Sequence, residues 1–336
     1  MEKILVTGAT GFIGGAIARR LKGEKRAVRA LVRRRSDTAA LAAAGIELRY
    51  GDITDSASVL DAAEGADAII HCAALASDWG AWETFERINV DGARNVFDAA
   101  LKTGAQRVVH FSTSDVFGFN NEGRMIDDSF PIKKTGFPYP DTKIDSEELA
   151  FNYARKRGMP VVVLRPAWVY GPGDKTFLPE IVNAMRSRQL VFIGSSRNVM
   201  ALTYIDNLVD ATLLALERDE AVWHGYLVCD NEEISWRDLT NLIAENLHLT
   251  RPAITIPFPA AKGVAAASEA IARLAKSENR PVITRYALEV TARNLRYSNI
   301  KMRKDLGFAP KIMPAEGMRI TMEWLKSADL AKIKTK

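Results

Sequence analysis

Tyr139 and Lys143 stand four residues apart in Tyr139-Pro140-Asp141-Thr142-Lys143, downstream of Ser112-Thr113-Ser114-Asp115. A tyrosine loses its proton only near pH 10, so acid/base work at neutral pH calls for a nearby positive charge that favours the phenolate. Lys143 is the expected source of that charge, because residues four apart on a helix share one face. Thr113 adds a hydroxyl able to orient the oxygen that exchanges a proton with Tyr139. Taken alone, the Tyr139/Lys143 spacing also describes an exposed helix pair, so its meaning depends on what surrounds it.

A second group of residues stands at the N-terminus. Lys3–Thr7 reads as a strand, followed by Gly8-Ala9-Thr10-Gly11-Phe12-Ile13-Gly14 and then a helical stretch. Three glycines at this spacing let a pyrophosphate approach bare backbone N–H groups at a helix N-terminus, where the dipole favours negative charge. Gly8, Thr10, Gly11, Phe12, Ile13 and Gly14 are therefore expected to bind a dinucleotide, and Lys143 its nicotinamide ribose. The second strand ends at Val32, where a fold selective for NAD presents an acid; Arg33-Arg34-Arg35 stands there instead. A guanidinium suits a ribose 2′-phosphate, so Arg33 predicts NADP in preference to NAD, with Arg34 and Arg35 also readable as a solvated turn. After the third strand, Asp52 can accept from the adenine amino group or cap the next helix, and Ile53 lies beside it.

These groups need a scaffold that brings strand ends together. Lys3–Thr7, Ala27–Val32, Ile46–Tyr50, Ala68–Cys72, Arg107–Ser112 and Pro160–Arg165 read as strands alternating with amphipathic stretches such as Phe12–Leu21 and Val90–Leu101. That alternation predicts an α/β fold with a doubly wound parallel sheet, a Rossmann domain, whose ligands bind beyond the strands' carboxyl ends. The rhythm changes after the Gly171-Pro172-Gly173-Asp174 turn. Residues 1–170 with a returning segment 201–232 are expected to form the dinucleotide domain, and 171–200 with 233–336 a smaller, mostly helical substrate domain.

With 47% hydrophobic and 26% charged residues the chain has a globular balance, and no apolar run reaches the length of a membrane span. A cytoplasmic location is expected. Two cysteines, Cys72 and Cys229, and four histidines offer no disulfide framework and no metal cluster. The net charge of +5 resides in residues 301–336, which hold nine Lys or Arg against four acids and end in Lys332-Ile333-Lys334-Thr335-Lys336. This reads as a solvated basic tail without the interleaved aromatics of a nucleic-acid platform, so no nucleic-acid partner is expected.

Over almost its full length the chain resembles the extended short-chain dehydrogenase/reductase family, the NAD-dependent epimerase/dehydratase group. The resemblance rests on Thr7–Gly14, Gly51-Asp52, His71-Cys72-Ala73-Ala74, Asn89-Val90-Asp91-Gly92, Ser112–Gly118, Tyr139–Lys143, Arg165-Pro166, Val169–Gly173 and Tyr204–Asn207. It implies a catalytic role for Thr113 beside Tyr139 and Lys143, a cofactor lining from Ala73 and Ala74, and Pro166 near the nicotinamide amide. Asn89 fixes a helix or joins the site. The Arg–Asn and Arg grips that sugar-nucleotide epimerases place after strand six and before the Tyr-Ile segment are absent, since Pro166-Ala167-Trp168 and Ala201-Leu202-Thr203 stand there. Ser114-Asp115 retains one acid of the dehydratase pair. Asp78-Trp79-Gly80 and Arg280–Tyr286 resemble the 3β-hydroxysteroid dehydrogenase branch, which implies an oxidoreductase acting on a bulky apolar alcohol or ketone, sterol-like or β-keto acyl. Trp79, Ser114 and Trp168 are expected to touch that small-molecule substrate, and Trp82, Phe137 and Val264–Leu274 to wall its pocket or belong to a core or partner face. An epimerase or dehydratase with retained cofactor, and a non-catalytic dinucleotide sensor, are the alternatives. The helices at Asn89–Leu101 and Lys143–Lys156 resemble the family's dimer pair, implying a homodimer.

Overall fold

A computed structural model describes residues 1–328 apart from 122, 231, 276 and 278, so the basic tail at Lys332–Lys336 lies outside the described residues. Seven parallel strands form the central sheet in the spatial order Gly225–Val228, Val161–Pro166, Arg107–Phe111, Ala68–His71, Lys3–Thr7, Ala27–Val32, Glu47–Tyr50. The order reverses beside Lys3–Thr7, and the crevice at that reversal is where ligands of doubly wound sheets bind. Three of the expected strands differ from the observed ones by one residue at one end, and Pro160–Arg165 is shifted by one residue to Val161–Pro166.

Strand residues alternate between two layers. Ile4, Val6, Val109 and Val162 pack against Ile17 and Leu21 of the helix Phe12–Gly23 and against Leu208 and Leu216 of Ile205–Glu217. Leu5, Ile69, Val108 and Val163 face the other way, onto Val59, Val96, Phe97 and Ala150 of three further helices, Ser56–Ala63, Gly92–Thr103 and Pro138–Arg157. Burial on both faces explains the near-continuous apolar strands. The helix expected from Val90 begins earlier, in a π-turn over Glu86–Asp91 that carries Asn89 into the interior. Such single wide turns recur at functional sites.

Beyond Pro166 part of the chain forms a smaller three-stranded sheet. Trp168–Tyr170 pairs in parallel with Leu202–Tyr204, and Val199–Ala201 pairs antiparallel with Glu233–Ser235. The helices Phe177–Arg186, Trp236–Leu247 and Pro314–Ser327 cover this sheet through Leu178, Val182, Leu239, Ile243, Met318 and Met322. The short strand Phe192–Ile193 starts beyond Leu190, whose N–H is spent closing the preceding helix on the Ala184 carbonyl. The buried Arg165 of the strand Val161–Pro166 pairs with Glu147 of the helix Pro138–Arg157 and with Asp128.

Candidate active site

The glycine turn is a cradle without side chains. Gly8 has φ 72°, and the Gly11 N–H closes the turn on the Gly8 carbonyl at 2.9 Å. A Cβ on Gly14 would stand 2.5 Å from the Gly8 oxygen, and one on Gly8 would stand 2.7 Å from the Ala73 nitrogen. Gly11 caps the helix Phe12–Gly23 with no side-chain hydrogen bond, which leaves its first N–H groups to an anion. A pyrophosphate fits this cradle. Lys175, a residue that sequence reading missed, donates from Nζ to the Thr10 carbonyl at 3.2 Å and brings a cation to the turn. Asp174 fixes it there by accepting the N–H groups of Thr176, Phe177 and Leu178. Its one sequence signal was the adjoining Gly-Pro-Gly-Asp turn.

At the edge of the sheet Arg33, Arg34 and Arg35 are exposed, with Arg34 over the Tyr50 ring at 5.9 Å. Burial raises the Asp52 carboxyl, but the Thr54 N–H and hydroxyl outweigh it together with the charges of Arg33 and Arg87, leaving Asp52 below its ordinary range. Arg87 is a second cation here that sequence reading missed. The helix-capping alternative for Asp52 is corrected: Asp55 caps Ser56–Ala63 by accepting the Ala57 N–H at 3.1 Å. Ile53 is buried against Gly92, where a Cβ would meet its Cδ1 at 2.8 Å.

Ala73 and Ala74 follow the fourth strand, and the Ala73 N–H donates to Thr7 Oγ1 at 3.3 Å. Asn89 does more than fix a helix. Its Oδ1 accepts the Leu75 N–H at 2.7 Å, and its Nδ2 donates to the Leu75 carbonyl and to Thr142 Oγ1 at 3.0 Å, tying the cofactor-side loop to the tyrosine helix.

That helix, Pro138–Arg157, starts at a proline, and Asp141 anchors its entry by accepting the N–H groups of Thr135 and Gly136. Thr113 caps the short 3-10 turn Ser114–Phe117 and faces the Tyr139 phenol. Burial comes first, then the Asp115 carboxylate, and both push Tyr139 above its ordinary value of 10; the Thr113 hydroxyl pulls it partway back. The expected lowering of Tyr139 by Lys143 is not what sets the phenol here. Lys143 is itself buried, and burial brings its ammonium down to about 8 against the opposing charge effects of Glu147 and Cys72. Beneath it His71 and His110 stack at 5.3 Å, and burial, then the Lys143 charge, holds His71 down to about 3.

Tyr286 is a residue to which sequence reading gave no role at the site, and its partner is Asp115, read from the sequence only as the remaining acid of a dehydratase pair. The Tyr286 hydroxyl donates to Asp115 Oδ2 at 2.5 Å, and its ring meets Tyr139 edge-on at 6.4 Å. Burial raises the Asp115 carboxyl to about 6 against that hydrogen bond. Phe119 and Phe137 pack edge-on to the same Tyr286 ring, so Tyr139 has an aromatic surround. No local pattern could join these residues, which are 171 apart in the chain.

The two segments Asp78-Trp79-Gly80 and Arg280–Tyr286 meet each other. Arg280 donates to both Asp78 oxygens at 2.6 Å, Thr284 donates to Asp78 Oδ2 at 2.8 Å, and Trp79 Nε1 reaches the Ser277 carbonyl at 3.4 Å. Ser114 is buried beside Thr113, and Pro166 ends its strand opposite Val228. Trp168, in a strand of the smaller sheet, packs on Phe177 at 4.4 Å and edge-on to Trp236, while Trp82 is exposed. The pocket-wall expectation for Val264–Leu274 is corrected in part, because Val264, Ile271 and Leu274 point to solvent. Among the described residues no cluster of three or more His, Cys, Asp or Glu side chains could hold a metal, and no helix is long and apolar enough to cross a membrane.

The pattern of the NAD dependent epimerase/dehydratase family matches residues 4–229. A 2-alkyl-3-oxoalkanoate reductase of Stenotrophomonas maltophilia is 32% identical over 326 residues, covering 94% of this chain and 97% of that one. A 4-hydroxy-2-methyl-3-oxo-4-farnesyl-3,4-dihydroquinoline-1-oxide ketoreductase of Stigmatella aurantiaca is 29% identical over 317 residues, 94% of each. The solved structure of a dTDP-glucose 4,6-dehydratase from Streptomyces venezuelae, with NAD bound, shares the fold at a TM-score of 0.79 and 24% identity, covering 97% of each chain. With the glycine cradle at a sheet reversal and the tyrosine, lysine and threonine beyond the strand ends, the chain belongs to the NAD-dependent epimerase/dehydratase family, the extended short-chain dehydrogenase/reductases.

Proposed function

We propose that this enzyme is an NADP(H)-preferring oxidoreductase that interconverts a ketone and a secondary alcohol on a bulky apolar substrate, β-keto acyl or sterol-like. One observation carries the reading: the Tyr139 phenol is enclosed by Tyr286, with Phe119 and Phe137 packed on that same ring, a surround suited to an apolar ketone and not to a sugar diphosphate. The Stenotrophomonas and Stigmatella relatives, named as reductases of 3-oxo compounds, support it.

A nicotinamide cofactor held at the glycine turn supplies the hydride. Tyr139 carries the proton, which burial keeps on Oη at neutral pH, and gives it to the ketone oxygen as that oxygen becomes an alkoxide. Thr113 hydrogen-bonds the same oxygen and fixes its place. Lys143 would hold the ribose hydroxyls of a bound nicotinamide cofactor with its ammonium, and Asn89 keeps the loop at Leu75 against the helix that carries Tyr139.

The test is NADPH consumption, followed by absorbance, with 3-oxo acyl compounds and cyclic ketones. Turnover of an apolar ketone is expected, with no binding of UDP-sugars by calorimetry. Tight UDP-sugar binding would return the epimerase reading, and NADPH binding without turnover of any ketone would leave a dinucleotide sensor.

Lys143 sets an alkaline limit. Its ammonium is charged below about pH 8 and neutral above. The KM for the dinucleotide is therefore expected to rise as pH passes through that value, with kcat changing less. A KM that stays flat over the range would remove Lys143 from ribose binding.

Arg33 is the discriminator between cofactors. A charge-assisted hydrogen bond to the 2′-phosphate contributes on the order of 1.5–3 kcal/mol, about a tenfold to hundredfold preference. The wild type should favour NADPH in kcat/KM at fixed ionic strength, and Arg33→Asp should weaken NADPH while sparing NADH, with smaller effects at Arg34 and Arg35. Equal use of both cofactors by the wild type would make the three arginines a solvated turn. A homodimer through Gly92–Thr103 and Pro138–Arg157 completes the proposal, and sedimentation showing only monomer at micromolar concentration would remove it.

A further inference from the structure

Lys175 lies in the turn after the strand Trp168–Tyr170, yet its Nζ donates to the carbonyl of Thr10, 165 residues earlier in the chain, at 3.2 Å. The backbone beneath it is fixed. Asp174 is fully buried and accepts the N–H groups of Thr176, Phe177 and Leu178 at 2.9, 3.1 and 2.8 Å, so its carboxylate is occupied by backbone and does not turn to the lysine beside it. Gly173, with φ 93°, brings this turn beside Phe12, whose ring a Cβ there would meet at 3.7 Å. Phe12 opens the helix Phe12–Gly23, and with Ile13 and Ala16 it packs on the same cluster as Leu178 and Val182. The N-terminal turn and the segment carrying Lys175 are therefore in direct contact at the place where an anion would enter.

The charge balance of the cradle gives this contact a use. Residues 8–14 carry no charged side chain, and a helix N-terminus supplies roughly half a positive charge. A pyrophosphate brings two full negative charges. An ammonium has three donors and the Thr10 carbonyl takes one, which leaves the exposed Lys175 two more for phosphate oxygens. From Lys175 the chain passes directly into the helix Phe177–Arg186, where Phe177 packs on Trp168 at 4.4 Å and Glu180 meets Arg280 at 3.9 Å. Arg280 in turn holds Asp78.

We propose that Lys175 binds the pyrophosphate of the dinucleotide, so that the cofactor is clasped between the glycine turn at 8–14 and the segment 171–186 instead of resting on the turn alone. This rests on the reading that a nicotinamide dinucleotide occupies the turn; it is independent of the ketone and of the choice between NADPH and NADH. Calorimetry on the full chain tests it. Lys175→Gln is expected to raise the Kd for NADPH, NADH and 2′-phospho-ADP-ribose by one shared factor, about tenfold at low salt, and Lys175→Arg to recover most of the affinity. The third ligand keeps the pyrophosphate and lacks nicotinamide, so a shared loss locates the contact at the phosphates, whereas Arg33→Asp separates NADPH from NADH. Saturating NADPH should also protect Lys175 of the wild type from acetylation by acetic anhydride, read by mass spectrometry. Unchanged affinity for all three ligands in Lys175→Gln would overturn the clasp and leave dinucleotide binding at the turn standing. So would a loss confined to NADPH and NADH, which would place the lysine at the nicotinamide end. A loss that Lys175→Arg does not recover, together with a lower melting temperature, would make Lys175 a strut of the turn and overturn the clasp as well. A wild type that binds none of the three would remove both the clasp and the dinucleotide reading. A Lys175-dependent Kd in a protein that reduces no ketone would uphold the clasp and remove only the substrate reading.

Discussion

Replacing Tyr139 by phenylalanine is expected to lower kcat for ketone reduction by about 10²–10⁴-fold while leaving dinucleotide affinity close to that of the wild type. The substitution removes one oxygen and keeps the ring that packs edge-on to Tyr286. That oxygen holds the proton the alkoxide must receive. Burial and the Asp115 charge keep it protonated at neutral pH, so the wild-type phenol is a ready donor, and without it the alkoxide must find a proton from water in an aromatic surround. Single-turnover rates with saturating NADPH, paired with calorimetry of NADPH binding, separate the two effects. A phenylalanine variant with undiminished turnover would sink the acid/base role of Tyr139, and one that loses NADPH affinity in parallel would recast Tyr139 as a binding residue.

The second large effect concerns stability. Arg165 is buried at the end of its strand, where it forms a two-pronged pair with Glu147, meets Asp128 at 3.0 Å and lies over the Phe117 ring at 5.3 Å. Arg165→Met leaves two carboxyl groups without their cation in the interior, and breaking a buried pair in this way costs about 3–5 kcal/mol. Urea denaturation should show that loss as a lower midpoint with an unchanged slope. Asp128→Asn should cost much less. Burial, against Arg165 and the Leu227 N–H, raises the Asp128 carboxyl from 3.8 to about 6, so the fold favours its neutral form. Its favourable contribution is present below the unfolded value of 3.8 and is lost as pH rises through about 6. At neutral pH the asparagine therefore removes a costly charge and keeps a hydrogen-bonding oxygen. Equal destabilisation by both substitutions would show that Asp128, and not the Arg165–Glu147 pair, anchors this buried cluster.

What the sequence determined by itself is the part written in local stereochemistry. Apolar residues recurring at the strand and helix periods marked the central strands to within about a residue, because sheet and helix periods are backbone properties that any neighbour must accept. The cradle at Gly8, Gly11 and Gly14 was legible for the same reason: a Cβ at Gly14 would collide with backbone only six residues away. The shared face of Tyr139 and Lys143 likewise needs one helical turn and nothing else.

Tertiary structure alone decided what each of these faces meets. Tyr286 reaches Asp115 across 171 residues, Arg280 reaches Asp78 across 202, and Lys175 reaches Thr10 across 165, and no spacing rule connects such pairs. The direction in which Tyr139 titrates also waited on the fold, since it depends on how deeply the phenol is buried and on Asp115 lying closer in effect than Lys143. So did the outward stripe of Phe258–Leu274: periodicity shows that Val264, Ile271 and Leu274 lie together, and only the packing of Ala261 and Ala265 shows that this side was left uncovered. A period fixes which side chains share a face; charge, burial and partnership are properties of the space that face looks into, and that space is made by residues far away in the chain.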